Sequence, residues 1–127
     1  MNPDETMRML QAAAVLFTVA ALGGLVMAGI RFRGRRNPPA WLAMLHGLLA
    51  GAGVTLMAYA WYAGGIPALA LLALLLFLLA AAGGAVLSLG YKWNKRLLPA
   101  GLVIGHALAA VAAYVLLLAV VLGDVSA

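Results

Sequence analysis

Charged positions are sparse and clustered along this chain, and the apolar runs between them have a regular length. Between Arg8 and Arg31 lie 22 uncharged residues, enough to cross a hydrocarbon layer at about 1.5 Å per residue. No charged residue occurs from Asn37 to Tyr91, which is room for two spans. That run breaks at Ala63-Gly64-Gly65-Ile66-Pro67, where glycines permit a tight turn and proline suits the first turn of a new helix. A last uncharged run, Leu97 to Gly123, ends before Asp124. The pattern predicts helices near residues 8–31, 39–63, 66–91 and 97–122, in one transmembrane domain covering 1–127. The fold class expected is an all-α membrane protein, a four-helix up-down bundle.

The same pattern occurs twice. Residues 13–59 align without a gap on 73–119, and 17 of these 47 positions are identical. Chance in so Ala- and Leu-rich a chain gives about five or six. Each copy holds a glycine pair (Gly23-Gly24, Gly83-Gly84), a basic stretch, Pro-Ala (Pro39-Ala40, Pro99-Ala100) and a histidine, His46 or His106. The bundle is therefore read as two tandem two-helix repeats, about 8–63 and 66–122. Two spans per repeat give both copies the same orientation, related by a pseudo-twofold axis along the membrane normal.

Composition changes the picture only by naming the solvent. The chain is 67% hydrophobic and 9% charged, far from the balance of a water-soluble domain. A net charge of +5 suggests nucleic acid only until the basic residues are located. Seven of the eight lie in two short segments: Arg31, Arg33, Arg35 and Arg36, then Lys92, Lys95 and Arg96. They read as positive-inside signals, which place loops 31–38 and 92–96 in the cytoplasm and both termini outside, in a bacterial inner (plasma) membrane. Trp41, Tyr91 and Trp93 suit one interface, and Tyr59, Trp61 and Tyr62 the other. Asp4 and Glu5 lead the chain, so its first apolar run is read as a retained span, not a signal peptide. Thr6 is a candidate cap for helix one, and Gly34 and Asn94 are matching loop sites. Ser126 and Ala127 close a short tail.

Chemistry concentrates at the two histidines, because an ionisable group at membrane depth is a functional-site hypothesis by default. Each lies seven residues past its proline, about 10–12 Å from the cytoplasmic end of its helix. In an up-down bundle the second and fourth helices face each other diagonally, so the symmetry turns both rings inward or neither. Helical spacing sets Ala43, Leu49, Ala50 and Gly53 beside His46, and Val103, Ala109, Ala110 and Ala113 beside His106. Gly23, Gly24, Gly83 and Gly84 fall near the same depth. Such small residues leave room for a bulky guest, or simply let the helices approach.

The leading expectation is a haem b ligated by His46 and His106 as metal ligands. Gly23, Gly24, Gly83 and Gly84 would surround it, and Arg35, Arg36, Lys95 and Arg96 would pair with its propionates. This arrangement resembles the four-helix membrane cytochromes b, including bacterial cytochrome b561-type proteins, in its bundle plan and histidine pair. Typical members carry two haems on four histidines. With two histidines, the likeness implies one haem near the cytoplasmic face, used in electron transfer or haem-linked sensing. A quinone or a larger membrane complex would complete the function.

Other chemistry has less to stand on. There is no cysteine, and the spans hold no Asp or Glu to complete a zinc or copper site. Met44 points away from His46, and Met57 reads as packing. Ser88 and Thr18 have no carboxylate-supported base, and no Gly-Lys-Ser/Thr follows the glycines. Tyr114 sits two turns beyond His106, with its hydroxyl expected to be satisfied within the bundle or by a ligand. The alternatives are an accessory or scaffold subunit, whose histidines only bond across helices, and a small proton-linked transporter. Catalytic residues are not assigned and the enzyme question stays open. The expected partners are the lipid bilayer, the quinone or complex already named, and a second copy in a homodimer, but not nucleic acid.

Overall fold

The computed structural model describes residues 1–123 and is helical throughout. Asp124 and the Ser126–Ala127 tail lie outside the described residues. Four helices are long and apolar enough to cross a membrane: α1 (Pro3–Gly34), α2 (Ala40–Gly64), α3 (Ala68–Ala85, continued by a π-helical segment Val86–Lys92) and α4 (Ala100–Leu122).

The ends of these helices follow from local chemistry. Asn2 caps α1: its side chain accepts from the Glu5 amide while the Glu5 carboxylate accepts from the Asn2 amide, both at 2.9 Å. This reciprocal pair satisfies two otherwise orphaned donors, and Pro3 follows at the first helical position. Thr6 is not the cap; it lies inside α1 with its hydroxyl donating back to the Asn2 carbonyl. The helix begins earlier than the apolar run and ends later, at Gly34, so Arg31 and Arg33 belong to α1 and not to a loop. Charged flanks are compatible with helix; they only mark where lipid stops. Arg35 then reverses the chain at φ 51°, and Lys95 does the same after α3 at φ 56°. Each non-glycine residue in that region costs about 1–2 kcal/mol. The remaining helices start directly after Pro39, Pro67 and Pro99, whose fixed φ presets the entry.

The π-helical segment was not expected. It carries bonds such as Trp93 N–H to the Ser88 carbonyl at 2.8 Å, and the Asn94 amide covers the Leu89 and Gly90 carbonyls. Lys92 therefore ends a helical segment, and the turn proper begins at Trp93.

α1 packs chiefly on α2 and α3 on α4, while α1 with α4 and α2 with α3 close the ring, so α2 and α4 stand on a diagonal. The buried cluster fills the half of the bundle away from the basic turns: Leu10, Phe17, Met57, Leu74, Phe77 and Leu117, with small alanines between them. At its centre Phe17 and Phe77 stack with ring centroids 3.7 Å apart and planes within 3°. Phe17 also presses on Gly53, where an added Cβ would meet the ring at 2.7 Å. Of the two uses expected for small residues here, room for a guest or close approach, Gly53 serves the second: the space over it is taken by an aromatic ring from α1. The histidines lie where this apolar core ends.

Candidate functional site

His46 rises from the second turn of α2, six residues after Ala40, and His106 from the matching point of α4, six after Ala100. Both are half-buried, and their rings meet across the diagonal with centroids 6.2 Å apart and planes crossed at 69°.

The two rings are held in the same way. His46 Nδ1 lies 2.7 Å from the Ala20 carbonyl of α1, and His106 Nδ1 lies 2.7 Å from the Ala80 carbonyl of α3. A carbonyl oxygen only accepts, so Nδ1 must carry the proton in each ring. In the neutral imidazole, Nε2 is then left with a free lone pair. Binding of Nδ1–H by a backbone carbonyl is also the usual outer support of a metal-ligating histidine, because it fixes the tautomer and raises the basicity of the other nitrogen.

The glycine pairs explain how the rings reach those carbonyls. A Cβ on Gly24 would stand 3.2 Å from His46 Cε1, and one on Gly84 would stand 3.2 Å from His106 Cε1. Gly23 and Gly83 face the Cβ atoms of the same two histidines at 4.0 and 3.7 Å. All four glycines thus sit beside imidazole, each pair in the hairpin of its own histidine. The room they create is filled by the rings themselves. A cavity of about 250 Å³ also opens beside His46 between α1 and α2, walled by Leu22, Gly23, Val26, Leu42 and Leu49.

The four basic candidates lie apart from the rings. Arg35, Arg36, Lys95 and Arg96 are exposed in the two turns, beyond the ends of the helices. The Arg96 guanidinium lies 4.8 Å from the centre of the Tyr91 ring. Tyr114 is engaged on the other side of the histidines, 2.5 Å from the Thr18 hydroxyl. Because Thr18 already donates to the Ala14 carbonyl at 2.8 Å, the tyrosine hydroxyl is the donor between them.

The two rings stand edge to face, close enough for both side chains to contact one shared guest. Among the described residues no third His, Cys, Asp or Glu joins the pair, and a bare metal ion wants more protein donors than two imidazoles.

Sequence reasoning missed Ala20 and Ala80, because backbone acceptors carry no side-chain signature. It also missed the stack of Phe17 on Phe77 in the core, although their spacing of 60 residues was visible. No protein-family model, no curated protein and no solved structure matches the chain.

Proposed function

We propose that this chain is a membrane-embedded b-type haem protein in which His46 and His106 are the axial ligands of a single haem. The observation that carries this reading is the pair of imidazoles 6.2 Å apart, each held through Nδ1 by a carbonyl and each with Nε2 left to coordinate. Bound between them, a haem supplies one-electron transfer. Ala20 and Ala80 hold the two rings in the ligating tautomer. Gly23, Gly24, Gly83 and Gly84 let the rings seat closely against α1 and α3. The Phe17–Phe77 stack belongs to the apolar core that begins where the histidines end. At the other side, Arg35, Arg36, Lys95 and Arg96 provide the positive charge that would pair with carboxylates of the prosthetic group.

In this reading the two hairpins are tandem repeats in parallel orientation, related by a pseudo-twofold axis between the histidines. The basic turns face the cytoplasm and both termini face outward, in a bacterial inner membrane. The haem then lies nearer the cytoplasmic side, and its partner is a bilayer-dissolved quinone or a larger membrane complex.

The test is a spectrum. Protein purified in mild detergent is expected to show a low-spin bis-imidazole haem, and His46→Ala or His106→Ala is expected to abolish it, since either change removes one axial ligand. A colourless wild type that also fails to take up added haemin would remove the proposal.

One observation favours a second reading. Both histidine hydrogen bonds stay within their own hairpin, α1 to α2 and α3 to α4, as expected of residues that fasten adjacent helices. An accessory subunit built this way would tolerate both substitutions with a loss of about 0.6 kcal/mol per bond and would co-purify with a larger assembly.

A further inference from the structure

The basic turns are more than two separate topology signals, because the structure ties them together. Orientation by positive charge requires only that each loop carry cations. Here two hydrogen bonds join one turn to the other, and a third joins the end of α1 to the second turn. Asn37 Nδ2 donates to the Arg96 carbonyl at 2.8 Å, the Leu98 amide donates to Asn37 Oδ1 at 3.0 Å, and Arg31 Nε donates to the Leu98 carbonyl at 2.7 Å. The result gathers Arg31, Arg33, Arg35, Arg36, Lys92, Lys95 and Arg96 at one end of the bundle.

Among the described residues that end holds no acid. Asp4 and Glu5 stand at the opposite end, where the Met1 amino group reaches the Ala63 carbonyl at 3.5 Å. Like charges gathered without a counter-charge repel one another, so the stitch works against the electrostatics of the isolated chain. Nor is it a by-product of duplication, since Asn37 has Leu97 at the position 60 residues on. Such a collection is stable where the environment supplies the missing negative charge.

Depth decides what that environment is. Trp41 is 66% exposed and Trp93 80% exposed at this same end, where indole rings settle at headgroup level. The turns are short, residues 35–39 and 93–99, and do not project far beyond those rings. In a bilayer, indoles at headgroup level would set the cations at the depth of the phosphates. We propose that the stitched turns form a binding face for the phosphate groups of anionic phospholipids. This does not rest on the orientation of the bundle or on the haem reading, with which it competes for Arg35, Arg36, Lys95 and Arg96. Arg31 takes part doubly: its Nε is committed to Leu98, which leaves the rest of the guanidinium to meet phosphate.

The experiment separates geometry from net charge. The full chain in neutral detergent is titrated with phosphatidylglycerol or phosphatidylcholine, and retained lipid is counted by native mass spectrometry at about 150 mM salt, where distant charges are screened. The wild type is expected to retain phosphatidylglycerol selectively. Asn37→Leu, which keeps every charge but cuts two of the three stitches, is expected to lose about tenfold of that preference, the order of one charge-assisted contact pair. Should that variant not fold, Arg31→Lys, also neutral in net charge, is expected to weaken the preference in the same direction. A folded Asn37→Leu protein, or in its place Arg31→Lys, with wild-type selectivity would mean that charge alone attracts the lipid, and the proposal would fail. It would fail equally if inorganic phosphate displaced the lipid at matched concentration, since the face would then be a site for soluble anions.

Discussion

Gly53→Ala isolates the contact between α2 and the aromatic stack of the apolar core. The new Cβ would stand 2.7, 2.8 and 3.1 Å from three carbons of the Phe17 ring. Carbon atoms rest about 3.5–4.0 Å apart, so ring and helix must separate by about 0.5–1 Å. The ring's freedom to move is restricted, because Phe77 is stacked on one face at a centroid distance of 3.7 Å. Overpacking of this kind costs about 1–3 kcal/mol. Against it, replacing glycine by alanine within a helix returns about 0.8–1.0 kcal/mol. The expected net is a destabilisation of about 0–2 kcal/mol, so the single variant is a weak discriminator and a double-mutant cycle is needed. Phe17→Leu removes the atoms that clash, at the cost of the stack, about 0.5–1.5 kcal/mol beyond the area lost. In the Phe17→Leu/Gly53→Ala protein the alanine is then expected to be neutral or stabilising. The interaction free energy should be favourable by about 1–3 kcal/mol, well outside the scatter of independent sites. Reversible unfolding in mixed micelles measures all four proteins. A cycle that closes additively within about 0.5 kcal/mol would show that Phe17 does not occupy the space over Gly53 and would reopen that space for a guest.

Two further perturbations probe the surroundings of the rings. Gly24→Ala is expected to displace the His46 ring and shift its Nδ1–H proton resonance, and Gly84→Ala to do the same for His106, since each new Cβ lies 3.2 Å from Cε1. Gly51→Ala, whose Cβ meets nothing within 4 Å, should leave both signals in place, and an equal shift in all three variants would contradict the contact. Tyr114→Phe removes the hydroxyl that bridges α4 to Thr18 of α1. Its coupling to Thr18→Val should be about 0.6 kcal/mol, the average for hydrogen bonds between membrane helices. Additive stabilities would show that the pair is not formed in the folded protein.

Hydropathy and charge, which are local properties, determined that the chain has four apolar spans and where its cations gather. Lipid demands a closed backbone hydrogen-bond pattern over a minimum length, and a run of uncharged residues answers that demand whatever its neighbours do. The position of His46 and His106 along their helices was legible too, as a count of residues from Pro39 and Pro99. The ends were legible only to within a turn. Asn2 and Glu5 extend α1 at one end and Arg31 to Gly34 at the other, since polar residues beyond an apolar run can remain helical.

Which face each helix turns inward was decided only by the tertiary structure. In water an interior face announces itself as an apolar stripe, but these helices are apolar all round, so periodicity carries little of that information. Gly24, Gly53 and Gly51 look alike in the chain, yet one receives an imidazole, one receives a phenyl ring and one faces open space. The carbonyls of Ala20 and Ala80, the stack of Phe17 on Phe77 and the reach of Asn37 across to Leu98 and Arg96 join residues 26, 60 and 59–61 positions apart. Such pairings depend on which shapes fit once helices are side by side. No single segment contains that information, and only the packed bundle reveals it.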